Sequence, residues 1–236
     1  MAMLEIQLAP EQSLPLGSRI SFELITTNAD GLAKSLQDWP DIKVSKLDDA
    51  TLLIEMIEQA LYAGNVSAKH SKDSFVIDIS EPSIKAFVAN FSGSRTQSID
   101  LNALVAYVSQ HIDKPSYVNG FDIASVVATS RSGDCTEYAV LLTALARSLG
   151  LPARVIIGTI LVEEKAQVLA VGHAWVEVWQ EDKWHILDAA MYQSGANKHF
   201  YLPAAALEKE SPGYAMSLAS ATVLMPSSIR ALQTAN

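Results

Sequence analysis

One cysteine, Cys135, stands at the start of a long apolar run and could act as a nucleophile. The loop SRSGD precedes it, and the run CTEYAVLLTALARSL follows it up to Gly150 and Pro152. This pattern predicts a helix that begins at Cys135, and the unpaired N–H groups of a helix start favour a thiolate. We therefore expect a lowered pKa for Cys135 and a backbone N–H that faces a developing oxyanion. The alternative is a lone cysteine that serves only as a small buried hydrophobe.

A histidine and an aspartate could serve this thiol as base and orienting acid. Of the five histidines, His173 is distinguished by its place inside a strand-like run, residues 168–179. A hairpin between this run and residues 184–188 would place Trp175 opposite Asp188. Because strand side chains alternate, His173, Trp175 and Asp188 would share one face, with the histidine and the aspartate on a diagonal. The spacing predicts a His173–Asp188 pair, with the second ring nitrogen free for the thiol.

The composition excludes several other classes of protein. The chain has 236 residues, of which 49% are hydrophobic and 18% charged, so it can form a hydrophobic core and is not disordered. Its 17 Lys and Arg stand against 26 Asp and Glu, a net charge of -9, which argues against a nucleic-acid-binding surface. No apolar run reaches the length of a membrane span. A single cysteine excludes an internal disulfide and a Cys-rich zinc site.

The first residues, MAMLEIQLAPEQ, do not show a basic stretch followed by an apolar one. This start predicts a cytoplasmic protein if the sequence is complete. If the sequence is a trimmed fragment, the protein could equally be periplasmic. The sequence does not separate the two.

The chain divides into two compositional halves at a polar segment, residues 91–98. In the first half, residues 19–26 and 75–79 alternate as strands do, and residues 51–63 suit a capped helix, with a strand as the alternative. Because it shows no cluster of reactive residues, we predict that residues 1–95 form a β-rich accessory domain without a catalytic residue.

The second half has clearer helix and strand signals. Asp100 caps an amphipathic helix that reaches Ile112, and a short helix follows over residues 121–129. Strand-like runs then cover residues 153–162, 168–179 and 184–188. We predict that residues 96–236 form the catalytic domain, of the α+β class, with the helix that bears Cys135 packed on an antiparallel sheet.

Three blocks of this half together resemble the core of the transglutaminase-like superfamily: SRSGDCTEYAVLLTALARSLGLPARVIIG, GHAWVEVW and WHILDAA. The resemblance covers roughly residues 101–192. It implies a papain-like fold, with Cys135 as nucleophile, His173 as base and Asp188 as orienting acid. It also implies a protein or peptide substrate and an acyl-enzyme thioester, which water or an amine then attacks.

The chain departs from the animal transglutaminases in one respect. They have a Trp well before the cysteine that helps to hold the oxyanion, whereas the only upstream Trp here is Trp39, in the other half. Gln110, Tyr117 or Asn119 could supply the second oxyanion donor, and the sequence does not choose among them. There is no acidic cluster that resembles a calcium loop, so we expect neither calcium activation nor another cofactor.

Other interpretations remain open at this point. Trp175 flanks the proposed pair and could form a wall of the substrate site, whereas Arg147 and Arg154 suit structural salt bridges. The chain could also be a non-catalytic, peptide-binding module of the same fold. A metal site formed by the three proposed catalytic residues is a further possibility, although zinc would normally require another soft ligand.

Overall fold

The computed structural model describes residues 3–58, 61–93, 99–116, 121–196, 198–207 and 209–235. Within these ranges the strands are β1 (Met3–Leu8), β2 (Arg19–Ile25), β3 (Lys43–Lys46), β4 (Thr51–Ile57), β5 (Lys114–Pro115), β6 (Ser132–Gly133), β7 (Ala153–Glu164), β8 (Gln167–Gln180), β9 (Lys183–Leu187), β10 (Lys198–Ala206) and β11 (Ser228–Thr234). The α-helices are α1 (Ala29–Ser35), α2 (Pro82–Ala89), α3 (Leu101–His111), α4 (Ala124–Ser130), α5 (Cys135–Ser148) and α6 (Tyr214–Leu224).

One large mixed sheet joins strands from both ends of the chain. In the described residues its order is β10-β7-β8-β1-β11-β2-β4-β3, with β9 also paired to β8, and β1 and β11 form its parallel pair. Strands from residues 1–95 and from residues 96–236 are therefore hydrogen-bonded in one sheet. The boundary between residues 95 and 96 lies outside the described residues, and the division into an accessory and a catalytic domain stays a prediction.

The edge of β8 that faces away from β7 has two neighbours. β1 pairs with Ala170 and Val171, whereas β9 pairs with β8 from Val176 to Gln180. The short stretch between them, residues 172–175, contains His173. The sheet thus leaves a gap between β1 and β9 at the place where a helix can bring a side chain to this histidine.

Of the three elements predicted for the first half, the structure confirms one, the strand over residues 19–26. β2 forms as the alternating pattern indicates, but the helix favoured for residues 51–63 is wrong, since β4 pairs with β2 and β3. The alternation of β4 buries its even-numbered residues, and this period of two matches a strand. The predicted strand at residues 75–79 is also wrong. Its backbone bends there, and Val76 exchanges single hydrogen bonds with Glu210 and Ala124.

The second half follows its predicted elements closely. Asp100 caps α3 by accepting hydrogen bonds from two backbone N–H groups, and α5 begins at Cys135. The hairpin of β8 and β9 turns through Glu181 and Asp182, which both have positive φ, as a two-residue turn of the type favoured in hairpins requires. The α+β class is confirmed, although the sheet is mixed and not purely antiparallel.

Helix α5 lies in the middle of this arrangement. It packs on β7 and β8 on one side and on α2, α3 and α4 on the other, and nearly all of its residues are buried. Among the described residues, every helix is too short or too polar to cross a membrane. The buried position of α5 fixes the location of the cysteine at its first residue.

Candidate active site

The backbone around Cys135 is held by a local network of hydrogen bonds. Asp134 caps α5 by accepting from the N–H of Thr136 at 3.0 Å, and the carboxylate of Glu137 accepts from the N–H of Asp134 at 2.8 Å. The other oxygen of Glu137 accepts from the N–H of Asp122 at 2.9 Å. Two loops are thereby joined to the first turn of the helix that bears the cysteine.

Gly133 lets this network close. A Cβ at this position would collide with the side chain of Glu137, which is completely buried beneath the loop. Gly133 also pairs with Pro115 in the short β5–β6 ladder, which ties the loop to the end of α3. The small residue is required here because the carboxylate and the backbone must approach each other closely.

The hairpin register brings His173 and Asp188 together as predicted. Val176 pairs with Leu187 and Trp179 with Trp184, so Asp188 follows directly after the last residue of β9 on the predicted register. Nε2 of His173 lies 2.6 Å from Oδ2 of Asp188, and both side chains are buried. The predicted hydrogen bond is confirmed.

Four hydrogen bonds hold the carboxylate of Asp188. Oδ1 accepts from the N–H groups of Ala190 and Met191 at 3.0 and 3.1 Å, and Oδ2 accepts from His173 and from the hydroxyl of Tyr201, the latter at 3.0 Å. This set of partners fixes the direction of the carboxylate. Asp188 therefore presents one oxygen to the histidine ring in a defined orientation.

The other side of the histidine ring faces the cysteine. The side chains of Cys135 and His173 are hydrogen-bonded, and the backbone N–H of Ala174 also donates to the sulfur. Because Nε2 is bound to Asp188, the ring nitrogen that faces the sulfur is Nδ1. The three residues thus form a continuous chain of contacts from a thiol to a carboxylate.

Burial and charge act differently on the pKa values of His173 and Cys135. Burial lowers the pKa of His173, but the Asp188 carboxylate, its hydrogen bond and the Cys135 sulfur outweigh this effect and raise the pKa to about 10. Burial raises the pKa of the Cys135 thiol, and the hydrogen bond with His173 only partly offsets it. The lowered thiol pKa expected from the helix start is therefore wrong, since the sequence did not show that this cysteine is only 5% exposed.

Trp175 packs next to the proposed base and not beside the thiol. It is 1% exposed, its ring stacks with that of His173 at 6.4 Å between centroids, and it contacts Tyr201 at 5.2 Å. It does not line the cavity at Cys135. A direct contact with substrate stays a prediction for Trp175, and its position fits support of the histidine ring better.

The remaining residues named from the sequence have structural or peripheral positions. Arg147 pairs with Glu210 at 2.7 Å and Arg154 with Glu177 at 2.8 Å, as the salt-bridge interpretation predicts.

The structure leaves the second oxyanion donor open. Gln110 is exposed on α3 and does not line the cavity at Cys135. Tyr117 and Asn119, the other two candidates, lie outside the described residues. None of the three is thereby selected.

Two residues that hold the site were missed by the sequence analysis. Glu137 stands three residues after Asp134, the spacing of a capping box, and this signal could have found it. Tyr201 has no such local signal, because β10 reaches Asp188 only through the pairing of β10 with β7, of β7 with β8 and of β8 with β9. Glu137 holds the backbone directly before Cys135, and Tyr201 holds the carboxylate that bonds to His173.

Comparison with known proteins agrees with this geometry. Residues 85–189 match the family model described as the Transglutaminase-like superfamily. A search of curated proteins found no significant match.

Two solved structures are similar over most of the chain. One is a candidate cysteine protease from Cytophaga hutchinsonii, 14% identical, with 79% of this chain and 77% of that chain covered at a TM-score of 0.46. The other is the periplasmic domain of TgpA from Pseudomonas aeruginosa, 19% identical, with 79% of this chain and 75% of that chain covered at a TM-score of 0.47. Both TM-scores lie below 0.5, so the family assignment rests on the family model. The similarity to the Transglutaminase-like superfamily is therefore that of residues 85–189.

Proposed function

We propose that this chain is a cysteine-nucleophile enzyme that forms an acyl-enzyme thioester on a peptide or carboxamide substrate. The observation that carries the proposal is the continuous contact from Cys135 through His173 to Asp188. A weak nucleophile beside a base that a third group orients is the arrangement that activates thiols and hydroxyls for acyl transfer. The family match over residues 85–189 supports the same assignment.

Each residue has one role in the proposed reaction. Nδ1 of His173 accepts the proton of Cys135 as the sulfur attacks the carbonyl carbon and negative charge develops on the carbonyl oxygen. The C–N bond then breaks, His173 returns the proton to the leaving amine, and the acyl group remains on sulfur as a thioester. The carboxylate of Asp188 orients the ring and stabilises the imidazolium that forms.

The raised pKa of His173 favours an ion pair with Cys135. The Asp188 carboxylate stabilises the imidazolium, so the one proton that the ring and the thiol share lies on the ring, even though burial raises the pKa of the thiol. The thiolate then exists as an ion pair with the imidazolium. This ion pair forms when the proton moves along the hydrogen bond from the sulfur of Cys135 to the ring of His173. This proposal does not require a thiolate in the absence of His173.

The second half of the reaction decides the product. If water attacks the thioester, the C–S bond breaks, a carboxylic acid leaves and the thiol is restored, as in a protease or amidase. If an amine attacks, a new C–N amide bond forms, the C–S bond breaks, and the proton that the amine loses restores the thiol. We propose hydrolysis as the main outcome, because transfer requires that water be kept away from the thioester.

A non-catalytic, peptide-binding module is the second candidate. The observation that favours it is the burial of Cys135, which opposes formation of a thiolate. Such a module would bind peptide without forming a covalent adduct at Cys135.

The test follows cleavage and the covalent adduct in one experiment. The purified chain is incubated with a mixture of peptides in water enriched in oxygen-18, with and without a fluorescent primary amine, and the products are identified by mass spectrometry. We expect one oxygen-18 atom in the new carboxylate, amine incorporation as a minor product, and an acyl adduct on Cys135 after rapid acid quenching. The variants Cys135→Ala and His173→Ala should both lose nearly all turnover, because residues that act as one unit are not additive.

His185→Ala is the matched control for His173→Ala. His185 lies in β9 on the same hairpin, and its ring contacts the backbone carbonyl of Gln180 and not the proposed site. It should retain full activity, and thermal melts of all variants should show the folded protein. A folded Cys135→Ala protein that still cleaves peptide would overturn the thioester mechanism, and peptide binding without an adduct would favour the binding module.

A further inference from the structure

Cys135 borders a cavity of about 260 Å³. Ten residues line it: Leu4, Cys135, Thr136, Ile157, Gly172, His173, Ala174, Thr222, Met225 and Pro226. Because the nucleophile and the base are both in its wall, a group attached to the reacting carbonyl must enter or pass this cavity. The volume is smaller than that of a typical cofactor site and suits a side chain.

The chemistry of the lining is apolar. Apart from Cys135 and His173, the ten lining residues include no ionisable side chain, and most of the exposed lining is apolar. A charged group placed there would lose its hydration without gaining a partner, whereas an apolar group would gain by leaving water. The chain as a whole carries 43 charged residues, 17 basic and 26 acidic, so a wall free of them beside the thiol is a selective feature.

The apolar wall comes from both ends of the chain. Leu4 lies in β1 and pairs with Ala170 of β8, directly before the stretch that contains His173. The parallel pairing of β1 with β11, in which Glu5 lies opposite Ser228, brings the segment of Met225 and Pro226 to the same place. Leu4, Met225 and Pro226 all lie outside residues 85–189, the segment that matches the family model.

We propose that this cavity selects substrates with an uncharged, apolar side chain next to the reacting carbonyl, and that Leu4 and Met225 determine this specificity. The inference rests on the proposed function, because it assigns the cavity to the acyl group that Cys135 receives. Met225 is half-buried, and its unbranched thioether can adapt to side chains of different shape. Residues inside the matched segment would then perform the reaction, while residues outside it would select the substrate.

The test measures which groups the cavity accepts and does not require turnover of a substrate. The alkylation rate of Cys135 is measured with iodoacetamide, with N-butyl iodoacetamide, and with reagents of the same length that end in a carboxylate or an ammonium group. Each rate is divided by the rate of the same reagent with free cysteine. We expect the butyl reagent to react at least about tenfold faster than either charged reagent, in line with what small apolar differences contribute in a hydrophobic pocket. Equal normalised rates would overturn the inference.

Two variants assign the effect to Met225. Met225→Glu should lower the normalised rate of the butyl reagent and raise that of the ammonium reagent. Val223→Glu is the matched control, since Val223 is exposed on α6 two residues away and does not line the cavity. It should leave the ratios unchanged, and the same shift in both variants would contradict the assignment. If Met225→Glu does not fold, Met225→Ala should narrow the preference for the butyl reagent, and an unchanged preference would count against Met225.

Peptide substrates separate this inference from the proposed function. Suppose that the chain cleaves peptides with apolar and with charged side chains beside the reacting carbonyl at equal rates. In that case the proposed specificity is wrong, and the proposed enzyme function is retained. If alkylation is selective but no peptide is cleaved or acylates Cys135, the enzyme is wrong, and the substrate role of the cavity is wrong with it.

Discussion

The hydroxyl of Tyr201 donates a 3.0 Å hydrogen bond to Oδ2 of Asp188, the same oxygen that bonds to Nε2 of His173. Burial raises the pKa of Tyr201 well above its ordinary value, and the Asp188 carboxylate raises it further, so the phenol remains a donor. The carboxylate is thereby held between a histidine on β8 and a tyrosine on β10. Its orientation depends on three strands of the sheet.

The contact between these strands requires a glycine on the strand in the middle. Gly158 of β7 pairs with His173 on one side and with Pro203 of β10 on the other. A Cβ at Gly158 would collide with the carbonyl of Leu202 and would lie 2.7 Å from the ring of Trp175. The missing side chain lets the Trp175 ring extend across β7 to Tyr201, which packs the aromatic residues beside the His173–Asp188 pair.

Replacing Tyr201 with Phe should weaken activity without unfolding the protein. The variant removes one hydrogen bond to a charged group, worth about 1.5–3 kcal/mol, and keeps the ring that packs against Trp175. We expect kcat to fall by about tenfold or more and the pH profile of kcat/KM to shift, because the orientation of Asp188 affects the pKa of His173.

The control for this variant is Tyr107→Phe. It also removes one phenol hydroxyl, which donates to the carbonyl of Phe87 at 2.7 Å, away from the site. It should leave kcat and the pH profile unchanged. Identical profiles for the wild type and Tyr201→Phe would remove the positioning role of Tyr201.

Replacing Asp188 with Asn should cost less activity than removing the thiol but still a large factor. The amide would favour the wrong tautomer of His173 and would no longer stabilise the imidazolium. An equivalent change in a serine-protease triad costs about 10⁴-fold in kcat. Steady-state kinetics and the alkylation rate of Cys135 at neutral pH should both fall. An unchanged alkylation rate would show that Asp188 does not act on the thiol through the histidine.

The pair of His173 and Asp188 should make stability depend on pH in a defined window. The folded pKa of His173 is raised to about 10, whereas an unfolded histidine titrates near about 6.5. The folded state therefore binds this proton more tightly, and the resulting stability is fully present below the unfolded value and lost as pH rises through the folded one. The free energy of unfolding by urea, compared between the wild type and Asp188→Asn, should differ most near pH 6 and less toward pH 10. A difference that stays constant over this range would contradict the raised pKa.

Replacing Glu137 with Gln should destabilise the first turn of α5. Both oxygens of Glu137 accept from backbone N–H groups, and an amide would direct its own NH₂ at one of these donors. Leaving such buried groups unpaired costs about 1–3 kcal/mol, which denaturant unfolding can measure. Glu181→Gln, an exposed change in the β8–β9 turn, is the control and should leave the unfolding free energy within error. Equal stability of both variants would mean that the buried carboxylate is dispensable.

The sequence by itself determined the parts of the site that depend on neighbouring residues. A strand repeats every two residues and a short turn fixes hairpin register, so the facing of His173 and Asp188 could be calculated from their numbers. A polar loop that leads into a long apolar run indicates the start of a helix, so Cys135 could be placed at the first turn of α5. These features need only the local periods of helix and strand.

The tertiary structure decided the features that depend on residues far apart in the chain. Burial of Cys135 reverses the direction of its pKa shift, and that burial comes from several elements packed around the end of α5. Tyr201 of β10 reaches Asp188, which follows β9, across three strand pairings, and Leu4 lines the same cavity as Met225 because β1 and β11 pair in parallel. A local pattern carries no information about which distant strands will pair, since that choice depends on how the whole sheet buries its apolar faces. The sequence therefore located the proposed catalytic residues, and the fold decided the burial of Cys135, the support of Asp188 and the shape of the cavity beside the thiol.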